Sequence, residues 1–289
     1  MTWPLLALGA ALFYGLQGAW TKRLTREVPP VVAAWALFAF GLPLLAGYLA
    51  VRGLPEVSPA FWFALTTTCA IGLLAYSLYA SAIQRSDVGL TVPLLALTPI
   101  LLVPVEWLLL GDVPGLRGLA GIVLVVAGVY LLNLKDLRGA PLAPLTAPFR
   151  DPGARRMLGV AVLWSVTGVV DKIAVTASSP AFYGTMQSAV LGLAFLPLIA
   201  RSTAARRTSA PVPRPWPALA LQGFLHAAMF IVQMEALRLT LAANVITIKR
   251  SGALVAVLLG ALVFGERDLR KRMLGTVLTV VGVMLVATG

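Results

Sequence analysis

The sequence predicts an all-α membrane protein of ten transmembrane helices in two inverted five-helix repeats, and three observations carry that reading. The first is composition: of 289 residues, 59% are apolar and 12% charged, and the mean hydropathy is +0.90. That balance is far too apolar for a water-soluble domain. The second is spacing, because apolar runs of about 20 residues, enough to cross a hydrocarbon core roughly 30 Å thick, recur along the whole length. The third is duplication. Trp62, Ala64, Leu65, Ala82, Gly111, Gly121 and Gly128 return 154 positions later as Trp216, Ala218, Leu219, Ala236, Gly265, Gly275 and Gly282, while Gly18 and Lys22 return after 150 as Gly168 and Lys172. Each copy holds an odd number of spans, so the copies take opposite orientations.

The first copy, residues 1–138, places spans at about 3–22, 30–51, 59–83, 88–110 and 115–134. A loop linker, 139–154, leads to the second copy, 155–289, with spans at about 155–176, 180–200, 215–239, 242–264 and 270–288. No Lys or Arg precedes the first span and no small-residue cleavage signature follows it, so it reads as a retained helix. The fourth span holds Pro93, Pro99 and Pro104, each of which frees a carbonyl that neighbours or cavity water must satisfy. In the fifth and tenth spans, Gly121 and Gly128, and Gly275 and Gly282, lie two turns apart on one face, a spacing that lets helices pack closely. The connections Lys135 to Ala154 and Arg201 to Arg214 are rich in Pro, Ala and Arg and read as flexible loops.

The net charge of +12 raises the question of nucleic acid, but the excess lies in short loops and no basic domain exists to hold it. Loops after the odd-numbered spans hold about 17 Lys and Arg, and the alternate loops about four: Arg52, Arg117, Lys172 and Arg238. The positive-inside rule therefore makes the odd loops cytoplasmic and places both termini outside. Cys69 is the only cysteine and His226 the only histidine, which leaves no disulfide and no metal site to expect.

Ionisable groups within a span cost about 2.5 to 3.5 kcal/mol each on insertion scales, so those that persist face the protein interior. Six stand out: Glu106, Asp171, Lys172, Glu235, Lys249 and Arg250. Their distances from span ends put them in one layer roughly 5 to 11 Å beneath the same surface. The layer contains three acids and three bases, and Lys249 is the expected partner of Glu106 or Glu235, because a lysine left alone sheds its proton where an arginine does not. Proton coupling, where it operates, would use Glu106 or Glu235. Nearer mid-membrane lie Tyr14, Gln17, Tyr79, Trp164, Thr167, His226 and Gln233. Tyr14 and Trp164 are equivalent positions of the two copies, as are Gln17 and Thr167, so two aromatic-polar stripes are expected to meet across the pseudo-symmetry axis.

Ten spans in two inverted repeats, each closing with Gly-acid, a short polar turn and a Gly-containing helix, resemble the EamA-type branch of the drug/metabolite transporter superfamily. The motifs are LLLGDVPGLRGLAGIVLVVAGVYLL from Leu108 and ALVFGERDLRKRMLGTVLTVVGVMLV from Ala261. The resemblance implies a basket of helices around a central cavity, with Tyr14, Tyr79, Trp164, His226, Lys249 and Arg250 on cavity helices and the fifth and tenth spans at the periphery. It also implies exporters or exchangers of small metabolites, with both termini in the cytoplasm, opposite to the placement the loop charges give.

The sequence thus leads us to expect a monomeric secondary transporter of a bacterial-type inner membrane, in contact with lipid and not with nucleic acid. Its substrate is a small polar metabolite bearing a carboxylate or other anion, held by Lys249 or Arg250 and packed on Tyr14, Tyr79 and Trp164, and its direction is export. An exchanger of phosphorylated or nucleotide-type metabolites, or a drug efflux protein, is the alternative, followed by a lipid scramblase or scaffold subunit. An enzyme is not expected, since neither paired acids for metal-diphosphate chemistry nor a His-Glu helix occurs. No cofactor is expected, and no phosphate-binding loop of the Gly-x4-Gly-Lys-Ser/Thr type occurs to drive an ATP pump.

Overall fold

The computed structural model describes residues 2–86, 88–134, 142–204, 216–255 and 269–289, and among them every regular element is helical. The first half consists of α1 (Trp3–Leu24), α2 (Pro30–Ala39), α3 (Leu42–Arg52), α4 (Pro59–Arg85), α5 (Val88–Thr91), a 3-10 segment (Val92–Leu97), α6 (Thr98–Leu110) and α7 (Leu116–Asn133). The short α8 (Ala143–Thr146) and a 3-10 turn (Ala147–Phe149) precede α9 (Pro152–Thr176), α10 (Pro180–Ala194), α11 (Leu196–Ala204), α12 (Trp216–Leu237), α13 (Ala242–Arg250) and α14 (Leu269–Thr288).

Seven segments among the described residues are long and apolar enough to cross a membrane: Pro30–Arg52, Pro59–Ile83, Val92–Leu110, Leu116–Asn133, Pro152–Thr176, Pro180–Arg201 and Trp216–Leu237. They account for seven of the ten spans read from the sequence. α1, α13 and α14 stand where the first, ninth and tenth were expected. The rest of the ninth span, the Gly-acid turn at Gly265 and the basic residues Lys135, Arg138, Arg206, Arg207 and Arg214 lie outside the described residues.

The second and seventh spans break near their middles, at Phe40 and Gly41 and at Phe195. Pro43 and Pro197, 154 residues apart, occupy the second positions of α3 and α11. There the missing N–H forfeits no helical bond, whereas in a continuous helix each ring would meet the carbonyl four residues back. In the fourth span Pro99 cannot donate to the Leu95 carbonyl, which accepts instead from the Thr98 N–H and, at 2.8 Å, from the Thr98 hydroxyl. Proline thus sets the bend, and its neighbour satisfies the carbonyl that the bend frees.

The principal helix pairs are α7 with α14, α4 with α9, and α1 with α12. Exchanging the halves maps α1 onto α9 and α4 onto α12, so the second and third pairs are one contact made twice. The same exchange turns the packing of α6 on α9 into that of α13 on α1. The three principal pairs run antiparallel, whereas α6 lies parallel to α9, with Leu102 against Gly168 and Glu106 against Lys172. Trp20 Nε1 near the end of α1 donates to Ala218 O near the start of α12 at 3.0 Å, and Ser86 after α4 meets Asp151 before α9 at 2.9 Å.

The glycine stripes seal α7 to α14. A Cβ on Gly121 would lie 2.7 Å from Gly282 O, and one on Gly128 would lie 2.6 Å from Gly275 O. Without a hydrophobic drive between helices in lipid, such backbone approach supplies the attraction. Large apolar side chains including Phe63, Leu108 and Met284 point outward, as a lipid-facing surface requires.

Candidate functional site

The breaks and crossings bring α1, α6, α9 and α13 together around one side chain. Arg250 ends α13 and is only 5% exposed. Its Nη1 donates to the Tyr14 hydroxyl at 2.6 Å, its Nη2 to Thr98 Oγ1 at 3.1 Å, and the rings of Tyr14 and Trp164 each lie 5.5 Å from its guanidinium carbon. The two aromatic stripes therefore do converge, and they converge on a cation. The Thr98 hydroxyl that receives Arg250 is the one that closes the proline bend, so the fourth span's irregularity helps to hold the guanidinium.

Lys249, one residue earlier on α13, points elsewhere because adjacent helical residues diverge by about 100°. Its Nζ donates to Gln233 Oε1 on α12 at 2.8 Å and lies 5.8 Å from the Tyr14 ring. Among the described residues no carboxylate stands within ion-pair distance of Lys249 or Arg250. Arg250 Nε is buried with no hydrogen-bond partner, as are Gln17 Oε1 and His226 Nδ1. Two cations with neutral partners at low dielectric are an expensive arrangement for the protein alone, and an arriving anion relieves it.

An aromatic wall extends from this point. Trp164 lies 5.8 Å from Tyr79 and 5.9 Å from Tyr76, Tyr76 lies 5.5 Å from Phe38, and Phe38 lies 5.3 Å from His226. His226, buried against Phe38 and Phe230, sits in this wall.

The six spanning charges do not form a single interacting layer. Glu106 is fully buried and accepts the backbone N–H groups of Ala242 at 2.6 Å and Ala243 at 2.8 Å, while Lys172 Nζ stands 3.2 Å from Glu106 and 3.0 Å from Asp112. Asp171 turns the other way, accepting from Thr68 Oγ1 at 2.8 Å and from the Tyr183 hydroxyl. Glu235 accepts from the Tyr48 hydroxyl and lies 3.6 Å from Arg52. The expected pairing of Lys249 with Glu106 or Glu235 is thus corrected: Glu106 takes Lys172 and Glu235 takes Arg52. Equal depth does not fix azimuth: Glu106 and Glu235 each meet a cation on their own side of the bundle, and Asp171 meets two hydroxyls. Glu235, Tyr48, Arg52 and Arg238 line a cleft of about 200 Å³ beside Ser179 and Pro180, at the outer ends of α3 and α12.

Sequence reasoning missed Thr98 and Tyr76, and it missed Thr68, Tyr183 and Gln187 around Asp171. The last two lie one turn apart in the seventh span, and Gln187 Nε2 donates to the Tyr183 hydroxyl at 2.8 Å. That polar pair in an apolar run was the available signal.

A lipid-facing helical bundle with exchanged halves and two interior cations that meet no carboxylate among the described residues defines a polytopic membrane protein of the transporter class. The chain matches the EamA-like transporter family over residues 1–134 and 152–288, and it belongs to that family. A solved crystal structure shares the fold with a TM-score of 0.75 over 98% of this chain and 96% of that one, at 18% identity. No curated protein matches the sequence.

Proposed function

We propose that this protein is a secondary transporter working by alternating access, with ten crossings and two repeats that rock about a midplane site. The substrate is a small polar metabolite bearing a carboxylate or other anion. One observation carries this reading: Lys249 and Arg250 reach the interior of a lipid-embedded chain without a carboxylate partner among the described residues, against Tyr14, Trp164 and Tyr79. Guanidinium hydrogen-bonded to hydroxyls retains donors for a planar anion, and the unpartnered Gln17 and His226 atoms suit a polar solute. We place the carrier in a bacterial-type inner membrane as a monomer, and the loop charges support an orientation with both termini outside.

The test is uptake and counterflow of labelled amino acids, other carboxylates and phosphorylated metabolites in proteoliposomes. A carboxylate should be moved by the wild type, and Arg250→Gln and Lys249→Gln should abolish that movement while the protein still inserts and elutes as a folded species. Preference for a phosphorylated solute would move the assignment to the exchanger class. Transport unchanged in both variants would overturn the site.

A further inference from the structure

Among the described residues, Asp171 is the spanning acid with no cation in bonding contact. Its Oδ1 accepts from Thr68 Oγ1 on α4 at 2.8 Å and from the Tyr183 hydroxyl on α10. Because that hydroxyl accepts from Gln187 Nε2 at 2.8 Å, its own proton is directed at Asp171. Two neutral donors therefore fix one carboxyl oxygen and leave the other to carry or release a proton. The other spanning acids are held differently. Glu106 receives two backbone N–H groups and an ammonium, and Glu235 sits beside Arg52 at the rim.

We propose that Asp171 is the proton-carrying acid of this transporter and that it loads its proton together with the anion bound at Lys249 and Arg250. The proposal rests on reading the chain as an anion transporter. Every charged or titratable neighbour fits the assignment. α10 presents the buried Tyr183, and α4 presents the buried Cys69 and the partly buried Tyr76. From α13, Lys249 is the cation whose charge acts on Asp171. Lys172, next along α9, is turned to Glu106 and Asp112, so neither it nor the Glu106 of α6 competes. α12 contributes His226, set among aromatic rings, and Glu235, engaged with Tyr48 and Arg52.

The coupling follows from charge. With the site empty, an ionised Asp171 on α9 offsets the charge of Lys249 on α13, the helix packed against it. An anion on Lys249 takes over that role, which leaves the Asp171 carboxylate as a surplus negative charge in a low dielectric. A proton from the open side removes it, so proton and anion are bound together, and by reciprocity each strengthens the binding of the other. Both leave on the far side, which makes the cycle a symport that moves no net charge for a monovalent anion.

The experiment uses the full chain in two formats. In pH-difference infrared spectra of the purified protein, the carboxylic C=O band of a buried acid should titrate in the wild type, persist in Glu235→Gln, and vanish in Asp171→Asn. A band untouched by Asp171→Asn overturns the proposal. In proteoliposomes loaded with the carboxylate that the wild type moves, Asp171→Asn should keep counterflow exchange within about threefold yet lose accumulation driven by a pH gradient. Gradient-driven accumulation equal to wild type in Asp171→Asn overturns the proposal while leaving the transporter reading intact. A wild type that moves no carboxylate in any mode defeats the transporter reading, and with it the symport, whatever the spectra show. Should Asp171→Asn fail to fold, Asp171→Glu must restore the band and the gradient response, and Tyr183→Phe must displace the band; an unmoved band in Tyr183→Phe counts against the assignment.

Discussion

Glu106 on α6 caps the helix that begins at Ala242: its two carboxylate oxygens take the Ala242 and Ala243 N–H groups at 2.6 and 2.8 Å. The first turn of any helix leaves unpaired donors, ordinarily met by the residue just before it. Leu241 precedes α13 and has no side chain to offer, so the cap comes from the other half of the chain. Lys172 joins the same carboxylate from α9, and the acid thereby ties α6, α9 and α13 together at one end of the bundle. The position 154 residues later is Gly260, so the second half carries no matching acid.

Glu106→Ala should therefore destabilise the protein by about 3 kcal/mol, because it takes the buried one of Lys172's two acid partners and uncaps α13. Thermal unfolding in detergent would measure it. Lys172→Met in the same chain should restore part of the loss, with a coupling of about 1 kcal/mol or more, whereas Lys249→Met should add independently to within about 0.5 kcal/mol. Coupling to Lys249 and none to Lys172 would contradict the geometry.

Gly128→Leu should cost about 1 to 3 kcal/mol by overpacking, because the new side chain would be driven into the Gly275 carbonyl and Thr279 of α14. Val123→Leu on the same helix, exposed toward lipid, should be neutral to within about 0.5 kcal/mol. Equal effects of the two would mean that α7 and α14 are not in close contact.

Much of the architecture was legible because lipid leaves a chain few options. Apolar runs between Pro59 and Ile83 or Trp216 and Leu237 can only be helices, and Gly121, Gly128, Gly275 and Gly282 at matched spacing mark where helices touch. The breaks at Phe40 and Phe195 were less visible, since Pro43 and Pro197 stand in runs whose hydropathy never falls. The convergence of Tyr14 and Trp164 was readable from the repeat, with Arg250 expected beside them, but the choice between Arg250 and Lys249 was not. Nor were the partners of Glu106, Asp171 and Glu235, because counting along a helix gives depth and leaves rotation open. Asp171 and Lys172 are neighbours in sequence and face different helices.

Asp151 caps α9 outside the apolar span, and hydrogen bonds from the Ser86 hydroxyl and the Ala154 N–H hold its carboxyl below the ordinary carboxylate range. A lowered folded-state pKa means that the cap contributes stability above the unfolded value of about 3.9 and loses it as pH falls through the folded value. Asp151→Ala should cost about 1 kcal/mol at neutral pH, the usual size of such a cap. The deficit should shrink below pH 3.9 or so as the wild type loses its own cap. Thermal unfolding against pH would check this, and a deficit that grows on acidification would reverse the sign of the argument.

The arrangement of positive charge makes a last prediction about which way the chain lies. Leu54, between α3 and α4, and Phe149, just before α9, are separated by an odd number of crossings and so lie on opposite sides of the membrane. Both are more than 80% exposed, and the single native cysteine, Cys69, is buried, so a cysteine placed at either position gives a clean signal. Arg150, Arg155 and Arg156 stand beside Phe149, within the positively charged set, whereas the connection that holds Leu54 carries Arg52 alone. An impermeant maleimide should therefore label Leu54→Cys in intact cells and reach Phe149→Cys only after permeabilisation. The reverse pattern would put both termini in the cytoplasm, as the family resemblance implies, and would mean that loop charge does not orient this chain. Labelling of both positions in intact cells would show insertion in two orientations, which an inverted repeat permits and a bias of about 17 to four argues against.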